Sequence, residues 1–523
     1  MKKGYYKYFL RLEFIFVFLA ILNIWPIWFS NYFPTVDGAS HLYNSQLILE
    51  LGQSNSFFQN FHEINPEWLP NWSGHLILLI FQKMGIPVFL ANKLLLSLIA
   101  LGIPLAFKGL LKEMRIPLSG ISFFSLVLVY TFLFGLGFYN FGLGILGFFI
   151  ALRLLIRAKN QINFKNLLFL FLSISFTYFS HLVCFGILGI YFVLDFILDF
   201  LKKDQSFTLP KGLLLSALFL PFVVLAFLFL FDREAPDVES YFGAATLWYL
   251  LTKLKILVLY FGKTEFFLAQ IVFYSLITIW LFSLRRFRNF KAFEGRFQLL
   301  FILLIILFFS MPDASSNGSF ISRRILIFAF WFLLIALSNL KIHKFLNMGI
   351  IILVIGIQFI RTHDYFLEIK AQDQRVSKFL EISDLIDDHS IVLDIHHAEG
   401  FKERHFSSYL ALNRDILILD NYEANYAYFP IKWKQDFPKI DLFNSKGLNK
   451  DCIIWNSNLE SSTEYQIDYV FIQGGKEMNS CQKEIFSYVK ENYSLLYPKD
   501  SMADNAHLSL YKRKNSANKF HKY

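Results

Sequence analysis

The sequence predicts an α-helical polytopic membrane protein with a small C-terminal α/β domain, and three observations predict it. The 523 residues are 55% hydrophobic and 17% charged, whereas about a quarter of the residues of a soluble domain are charged. Apolar runs of about 20 residues, long enough to cross a bilayer, recur as far as Ile360. Beyond Ile360 these runs stop and short strand-like runs replace them.

The positions of Lys and Arg predict the topology, because loops rich in these residues stay in the cytoplasm. Four basic residues precede the first apolar run, whereas the segment 31–74 contains no Lys or Arg and is therefore expected outside. Continuing this count gives about 11 transmembrane helices, a cytoplasmic N-terminus and an extracytoplasmic C-terminal domain. The predicted spans are 14–29, 88–107, 118–134, 141–156, 167–180, 183–200, 213–231, 266–284, 297–310, 325–340 and 349–360.

The predicted domains follow from this topology. Residues 1–361 form the transmembrane domain with a long first external loop at 31–74, residues 362–513 form the α/β domain, and residues 514–523 form a disordered tail. In the α/β domain a helix is expected at 368–386. Apolar strands are expected at Ile391–Ile395, Ile416–Leu419 and Tyr469–Ile472, with weaker ones at Leu495–Tyr497 and Leu508–Tyr511, in a partly parallel sheet.

The net charge of +10 does not indicate a nucleic-acid partner. The Lys and Arg residues stand in short clusters between apolar runs, which is typical of cytoplasmic loops. Membrane lipids are the partners that this distribution predicts.

The stretch NYFPTVDGASHLYNS, residues 31–45, places Asp37 and His41 at the expected membrane surface. The two residues are four apart, so they share a face if this part of the chain is helical. A carboxylate beside hydrocarbon is costly unless it has a function or a partner. Asp37 is therefore a candidate catalytic residue, and a solvated, helix-capping acid is the alternative.

Polar residues from five external loops are expected at the same membrane surface, where they would mark a functional site. They are Asp37, His41, Asn44, Tyr139, Asn140, His181, Asp232, Arg233, Asp313, Arg323 and Arg324. Taken singly, each has a structural explanation, such as helix termination at Asn140 or a structural hydrogen bond at His181. The two histidines and an aspartate of this set could ligate a metal, but no HxxxH or HxH pattern supports zinc, so no cofactor is predicted and a divalent metal stays an unsupported alternative.

Arg323 and Arg324 depart from the charge rule, because this topology places them outside. An anion is therefore expected near them. Arg offers a planar, bidentate donor to a ligand phosphate, and a salt bridge to the acidic segment 232–239 or contact with lipid phosphates are the alternatives.

At this point the chain resembles a known family. A first span that leads to a long external loop opening with an acid, many further spans and an exported C-terminal domain are similar to the GT-C superfamily of integral-membrane glycosyltransferases, including the protein O-mannosyltransferase and aminoarabinose-transferase types. The stretch DGASHLYNS resembles a DGxxHxYN motif of bacterial members. GFYNFGLG at 137–144 and FSHLVCFG at 179–186 resemble further patches of that family.

The resemblance implies transfer of a sugar from a polyprenyl-phosphate-linked donor to a lipid, glycan or protein acceptor, at the outer face of a bacterial inner membrane. One carboxylate suffices for a single, inverting displacement. Asp37 would be the base, His41 would orient it or balance its charge, and Arg323 and Arg324 would bind the donor phosphate. Asn44, Tyr139, Asn140, His181, Asp232 and Arg233 would line the substrate cavity.

The loop departs from the family in one respect. Its members commonly carry paired acids there, whereas Gly38 and Ala39 follow Asp37. Three explanations are open: His41 replaces the second acid, another loop supplies the second acid, or the activity is altered or lost. A transporter or flippase of lipid-linked glycans and a glycan polymerase remain alternative functions; repeat-related halves and mid-span charges, typical of transporters, are not found.

Overall fold

The computed structural model of the chain forms two compact units. The first comprises Met1–Phe33, Trp68–Gly74 and Lys93–Lys370, and the second comprises Pro34–Glu67, His75–Asn92 and Ala371–Tyr523. The structure describes residues 3–202, 209–231, 240–260, 262–284, 293–314, 318–396, 401–426, 428–435, 437, 443–445, 453–455, 465–474, 480–498 and 508–514.

The first unit is helical. Its helices are α1 Lys3–Leu22, α2 Trp25–Phe29, α5 Val88–Glu113, α6 Phe124–Val127, α7 Phe132–Leu136, α8 Tyr139–Asn160, α9 Phe164–Ser180, α10 Leu182–Lys202, α11 Leu209–Phe231, α12 Ala244–Thr252, α13 Lys263–Ser283, α14 Phe293–Ser310 and α15 Ile321–Ser338, with α16 Lys344–Ser383 passing out of it. The first residues of α5 and the last of α16 belong to the second unit. Helix α15 is central, since 83% of it is buried inside the protein.

Eight helices within the described residues are long and apolar enough to cross a membrane, and three shorter apolar helices accompany them. The chain is a multi-pass membrane protein, as the sequence predicts. The count of about 11 spans stays a prediction.

The predicted span 118–134 stays a prediction, but the segment is not one regular helix. The structure breaks it into a short 3-10 turn at Gly120–Phe123, α6 and α7. The break between α6 and α7 is explained by Thr131. Its hydroxyl accepts a hydrogen bond from the Phe134 amide and so caps the N-terminus of α7. Gly137 then ends α7 in the left-handed conformation, with φ of 87°.

A buried ion network joins α8, α10 and α14 in the first unit. Asp195 and Asp199 stand one turn apart on α10, and each pairs with both Lys159 and Arg296. Paired, hydrogen-bonded charges are the form in which ionised groups are tolerated away from water. The network therefore explains two acids in an apolar helix without a catalytic role.

The second unit contains a five-stranded sheet. Strands β2 Ser390–His396, β3 Ile416–Ile418 and β7 Tyr469–Gln473 are parallel, and β9 Leu508–Arg513 and β8 Tyr493–Tyr497 add antiparallel to β7, in the order β3-β2-β7-β9-β8. The helix α17 Ser480–Asn492 precedes β8. The predicted partly parallel sheet and its five strands are confirmed.

Two segments from the N-terminal half of the chain also belong to the second unit. They carry α3 Gly38–Leu51, β1 His62–Ile64 and most of α4 Ser73–Lys83. Strand β1 pairs antiparallel with β4 Ile431–Trp433, a pairing that the sequence analysis missed, as it missed the pair of β5 Phe443–Ser445 and β6 Ile453–Trp455. The predicted domain boundaries stay predictions.

The predicted helices 349–360 and 368–386 are one continuous helix, α16. No Pro or Gly interrupts residues 357–383, so the helix has no reason to end where the apolar run stops. The predicted disordered tail lies outside the described residues, apart from Lys514.

Candidate functional site

Helix α3 positions Asp37, the acid that the sequence analysis singled out. The helix begins at Gly38, so Asp37 occupies its N-cap position, yet the Asp37 side chain makes no capping hydrogen bond. The Asp37 carbonyl accepts from the His41 amide at 3.0 Å, which closes the first helical turn. The helix-capping alternative for the Asp37 carboxyl therefore fails.

The next turn of α3 docks on the edge strand β3. The Tyr43 hydroxyl donates to the Ile416 carbonyl at 3.1 Å and accepts from the Ile418 amide at 3.3 Å. Asn44 and Asn421 exchange two side-chain hydrogen bonds. These buried contacts align His41 with the residues that follow β3.

Glu423 lies between two histidines in the second unit. His41 Nδ1 is 2.7 Å from Glu423 Oε1, and His75 Nε2 is 2.7 Å from Glu423 Oε2. The three side chains are buried, with Glu423 fully so. Burial alone would raise the pKa of Glu423, but the charges and hydrogen bonds of the two histidines outweigh it and hold this pKa well below its usual range.

Asp37 is the second carboxylate of this cluster. The Tyr422 hydroxyl donates to it, and His405 Nε2 is 3.8 Å from Asp37 Oδ1. Its side chain is 14% exposed. Burial raises the pKa of Asp37 to about 7, the charge of Glu423 adds to this effect, and His41 opposes it.

His405 completes the cluster and stays neutral. Burial, with the charge of Arg404 acting in the same direction, lowers its pKa to about 3. Its ring lies against that of Tyr422, with the centroids 4.2 Å apart. Asp37, His41, His75, His405, Tyr422 and Glu423 are called the carboxylate cluster below.

The parallel strands explain where the cluster forms. Tyr422 and Glu423 follow the carboxyl end of β3, and His405 follows that of β2. The carboxyl ends of parallel strands are the usual place for ligands in α/β folds. Three groups of the cluster could also hold a metal ion, because the donor atoms of His41, His75 and Glu423 lie within 4.8 Å of one another.

Sequence reasoning identified Asp37 and His41 but missed the other four members of the cluster. His75, His405, Tyr422 and Glu423 carry no short motif of their own. The available indication was ILILDNYE, an apolar strand followed by polar residues. Asn44, the third predicted residue in this unit, is fully buried and bonded to Asn421, and its role at a cavity stays a prediction.

The first unit holds the other predicted residues that the structure describes. Asn140 Oδ1 accepts from the Gly74 amide at 2.6 Å, and Asn140 Nδ2 donates to the Asn71 carbonyl at 2.8 Å. Tyr139, beside it, is buried. The His181 ring packs edge-on to Phe141 with the centroids 5.2 Å apart.

The two predicted phosphate-binding arginines begin α15 among aromatic rings. The Arg323 guanidinium lies 4.9 Å from the centroid of Phe132, 4.8 Å from Phe320 and 5.6 Å from Phe242. The Arg324 guanidinium lies 5.1 Å from the centroid of Phe138 and 5.8 Å from that of Phe141. Asp232 and Arg233 lie outside the described residues.

The fold can be compared with solved structures. It matches the cryo-EM structure of the arabinofuranosyltransferase AftD from mycobacteria with a TM-score of 0.54 and 10% identity, over 95% of this chain and 40% of AftD. It matches the crystal structure of ArnT from Cupriavidus metallidurans in the apo state with a TM-score of 0.51 and 8% identity, over 97% of both chains. The chain has a GT-C fold.

The GT-C fold confirms the predicted fold class, a polytopic helical membrane protein with a small C-terminal α/β region. The chain spans 40% of the length of AftD, so the match describes one part of that larger protein. No protein-family model and no curated protein sequence matches this chain. The comparisons therefore give the architecture, and the chemistry has to be argued from the residues.

Proposed function

We propose that the protein is an inverting glycosyltransferase that moves a sugar from a polyprenyl-phosphate-linked donor to a hydroxyl of a lipid, glycan or protein acceptor. The GT-C fold supports this class of reaction, since one of the matched structures, AftD, is an arabinofuranosyltransferase. The observation that carries the proposal is that the carboxylate cluster holds two carboxylates in unlike surroundings, Asp37 and Glu423.

The reaction is a single displacement at the anomeric carbon of the donor. The acceptor oxygen forms a bond to that carbon while its proton passes to the Asp37 carboxylate. The bond from the anomeric carbon to the phosphate oxygen breaks, and the polyprenyl phosphate leaves with the electron pair. One base and one stabilised leaving group are sufficient for this step.

Asp37 suits the role of base better than Glu423. A general base works best when its pKa lies near the working pH, and burial brings that of Asp37 to about 7. Glu423 is held as a carboxylate by His41 and His75 and has little tendency to accept a proton. Two carboxylates whose surroundings separate their pKa values have separate chemical roles.

Arg323 and Arg324 would bind the donor phosphate. Two adjacent guanidinium groups at the start of an apolar helix need an anion, and a phosphate offers oxygens for their paired N–H groups. The Arg323 Nη1 atom is buried and has no hydrogen-bond partner among the residues that the structure describes, which leaves a donor for a ligand.

The charge distribution supports an orientation with these residues outside the cytoplasmic membrane. The N-terminal segment and the loops predicted inside are basic, whereas the segment 31–74 has no Lys or Arg. We therefore infer a bacterial inner-membrane protein whose reaction takes place at the outer face, where lipid-linked sugars are used.

The proposal is tested in a strain that lacks the gene. The strain is complemented with the wild type, with Asp37→Asn or with Glu50→Gln, and its envelope glycolipids and glycoproteins are compared by mass spectrometry. Glu50 is the matched control, because it lies on the same helix α3 outside the carboxylate cluster. A glycan should be lost in the deletion strain, restored by the wild type and by Glu50→Gln, and not restored by Asp37→Asn.

Two results would overturn the proposal. One is an unchanged glycan profile in the deletion strain under all growth conditions in which the protein is made. The other is full restoration by Asp37→Asn at wild-type protein levels in the membrane, since an amide cannot take the acceptor proton.

A further inference from the structure

Three donor side chains converge within the carboxylate cluster from distant parts of the sequence. His41 comes from α3, His75 from α4, and Glu423 from the turn after β3. One imidazole nitrogen faces each carboxylate oxygen, at 2.7 Å in both cases. The planes of the two imidazole rings are almost perpendicular, with the centroids 5.2 Å apart.

The charge balance around these groups favours a cation. Glu423 is fully buried and Asp37 largely so, so positive charge on the two imidazoles or a bound metal ion has to balance Glu423. Arg404, whose charge acts on Asp37 and His405, is itself half-buried. A buried carboxylate is tolerated when a cation or a metal ion balances it.

The three groups are held in place by their neighbours. Tyr43 and Asn44 fix α3 to β3 and to Asn421, two residues before Glu423. Gln82 Nε2 donates to Ser45 Oγ at 2.7 Å, which ties α4 to α3. Such supporting contacts are what a metal site requires to keep its ligands in geometry.

We propose that His41, His75 and Glu423 bind a divalent cation, and that Zn²⁺ is the ion for which this donor set is suited. Two imidazole nitrogens and one carboxylate form a three-ligand zinc site with an open fourth position. Because Zn–N and Zn–O bonds are about 2.0–2.2 Å long, donor atoms within 4.8 Å of one another reach a common ion after small side-chain movements. Metal binding does not depend on the transfer reaction proposed above.

The competing arrangement is a hydrogen-bonded His–Glu–His triad without an ion. It uses the same contacts, so only binding measurements separate the two. The triad predicts that the protein binds no stoichiometric metal at these residues, and the metal site predicts one ion per chain that depends on all three.

The experiment uses the full chain, purified in detergent without a polyhistidine tag and stripped with a chelator. The protein is dialysed against micromolar Zn²⁺, passed over a desalting column and assayed by plasma mass spectrometry. The wild type should retain one zinc per chain, and His75→Ala and Glu423→Gln should retain less than a tenth of that. His405→Ala is the matched control, because His405 lies in the same cluster but is not one of the three donors; it should retain zinc.

X-ray absorption of the zinc-loaded wild type gives a second readout that needs no variant. It should show nitrogen and oxygen donors with the scattering pattern of two imidazoles and no sulfur. The inference is overturned if the wild type retains no zinc, if the spectrum shows other than two imidazoles, or if Glu423→Gln and His75→Ala retain as much zinc as His405→Ala.

Discussion

Asn44 and Asn421 hydrogen-bond each other through both halves of their side-chain amides. Asn44 Nδ2 donates to Asn421 Oδ1 at 3.0 Å, and Asn421 Nδ2 donates to Asn44 Oδ1 at 2.7 Å. Both side chains are fully buried. The pair joins helix α3 to the turn that carries Tyr422 and Glu423, so it positions the carboxylate cluster.

Replacing one asparagine of this pair should lower the free energy of unfolding, because the other amide then stays buried without its partner. Asn44→Leu keeps the volume but leaves the Asn421 amide buried without its partner, which costs about 1–3 kcal/mol. The double variant with Asn421→Leu should be less destabilised than the sum of the two single variants, because neither amide then remains. Denaturant unfolding of the four proteins in detergent measures the coupling, and simple additivity would show that the two amides act independently.

The pair also shows what the sequence could predict and what it could not. Asp37 and His41 are four residues apart, so helical spacing predicted them together on one face, and the structure places Asp37 at the N-cap of α3 and His41 within that helix. Glu423, His75 and His405 come from other segments, and only strand pairing and helix docking bring them together. Tertiary contacts over such separations leave no periodic pattern in one sequence.

Helices and strands that consist of long apolar runs were predicted from the sequence, whereas short elements with few apolar residues were missed. The strand Tyr469–Gln473 is apolar and β-branched, and it was found, whereas β1 and β4 have three residues each and are defined by their pairing. The apolar run 118–134 resembled a span because hydropathy does not register the turn that Thr131 starts. Apolarity predicts burial, and it does not distinguish one helix from three short ones.

Asp37→Asn should reduce kcat by about 10²–10⁴-fold, the usual contribution of a general base. The amide keeps the size of the side chain but cannot accept the acceptor proton, so binding of the donor should change little. The measurement is transfer of a radiolabelled sugar by the purified protein in lipid nanodiscs, with kcat and KM determined separately. A loss confined to KM would assign Asp37 to substrate binding instead.

Arg323→Ala should raise the KM for the lipid-linked donor by about 10- to 100-fold, the value of a charge-assisted hydrogen bond, and leave the KM for the acceptor unchanged. Arg323→Lys is the matched variant: it keeps the charge but loses the bidentate geometry, so it should recover only part of the affinity. Equal effects on donor and acceptor would instead favour a structural role, in which Arg323 interacts with Asp313 and its three aromatic neighbours.

Asp394 is a buried carboxyl on β2 whose titration should affect stability. Gln473 Nε2 lies 3.1 Å from both of its oxygens, and Ser407 also hydrogen-bonds it. Burial raises the pKa of Asp394 from 3.8 to about 7, and the charge of Asp420 adds to this. The folded state therefore holds this proton more tightly than the unfolded chain does.

The contribution of Asp394 to the free energy of unfolding is therefore largest below pH 3.8. It decreases as the pH rises from 3.8 to about 7. At about 1.4 kcal/mol per pH unit, the loss reaches on the order of 4 kcal/mol. Asp394→Asn cannot ionise, so its unfolding midpoint should fall less than that of the wild type between pH 5 and pH 8, and at pH 8 it should be the more stable protein. Asp415→Asn, at an exposed carboxyl just before β3, serves as the control, and its unfolding midpoint should change with pH as that of the wild type does. If the midpoint of Asp394→Asn changes with pH in the same way, the Asp394 carboxyl does not retain its proton in the folded protein.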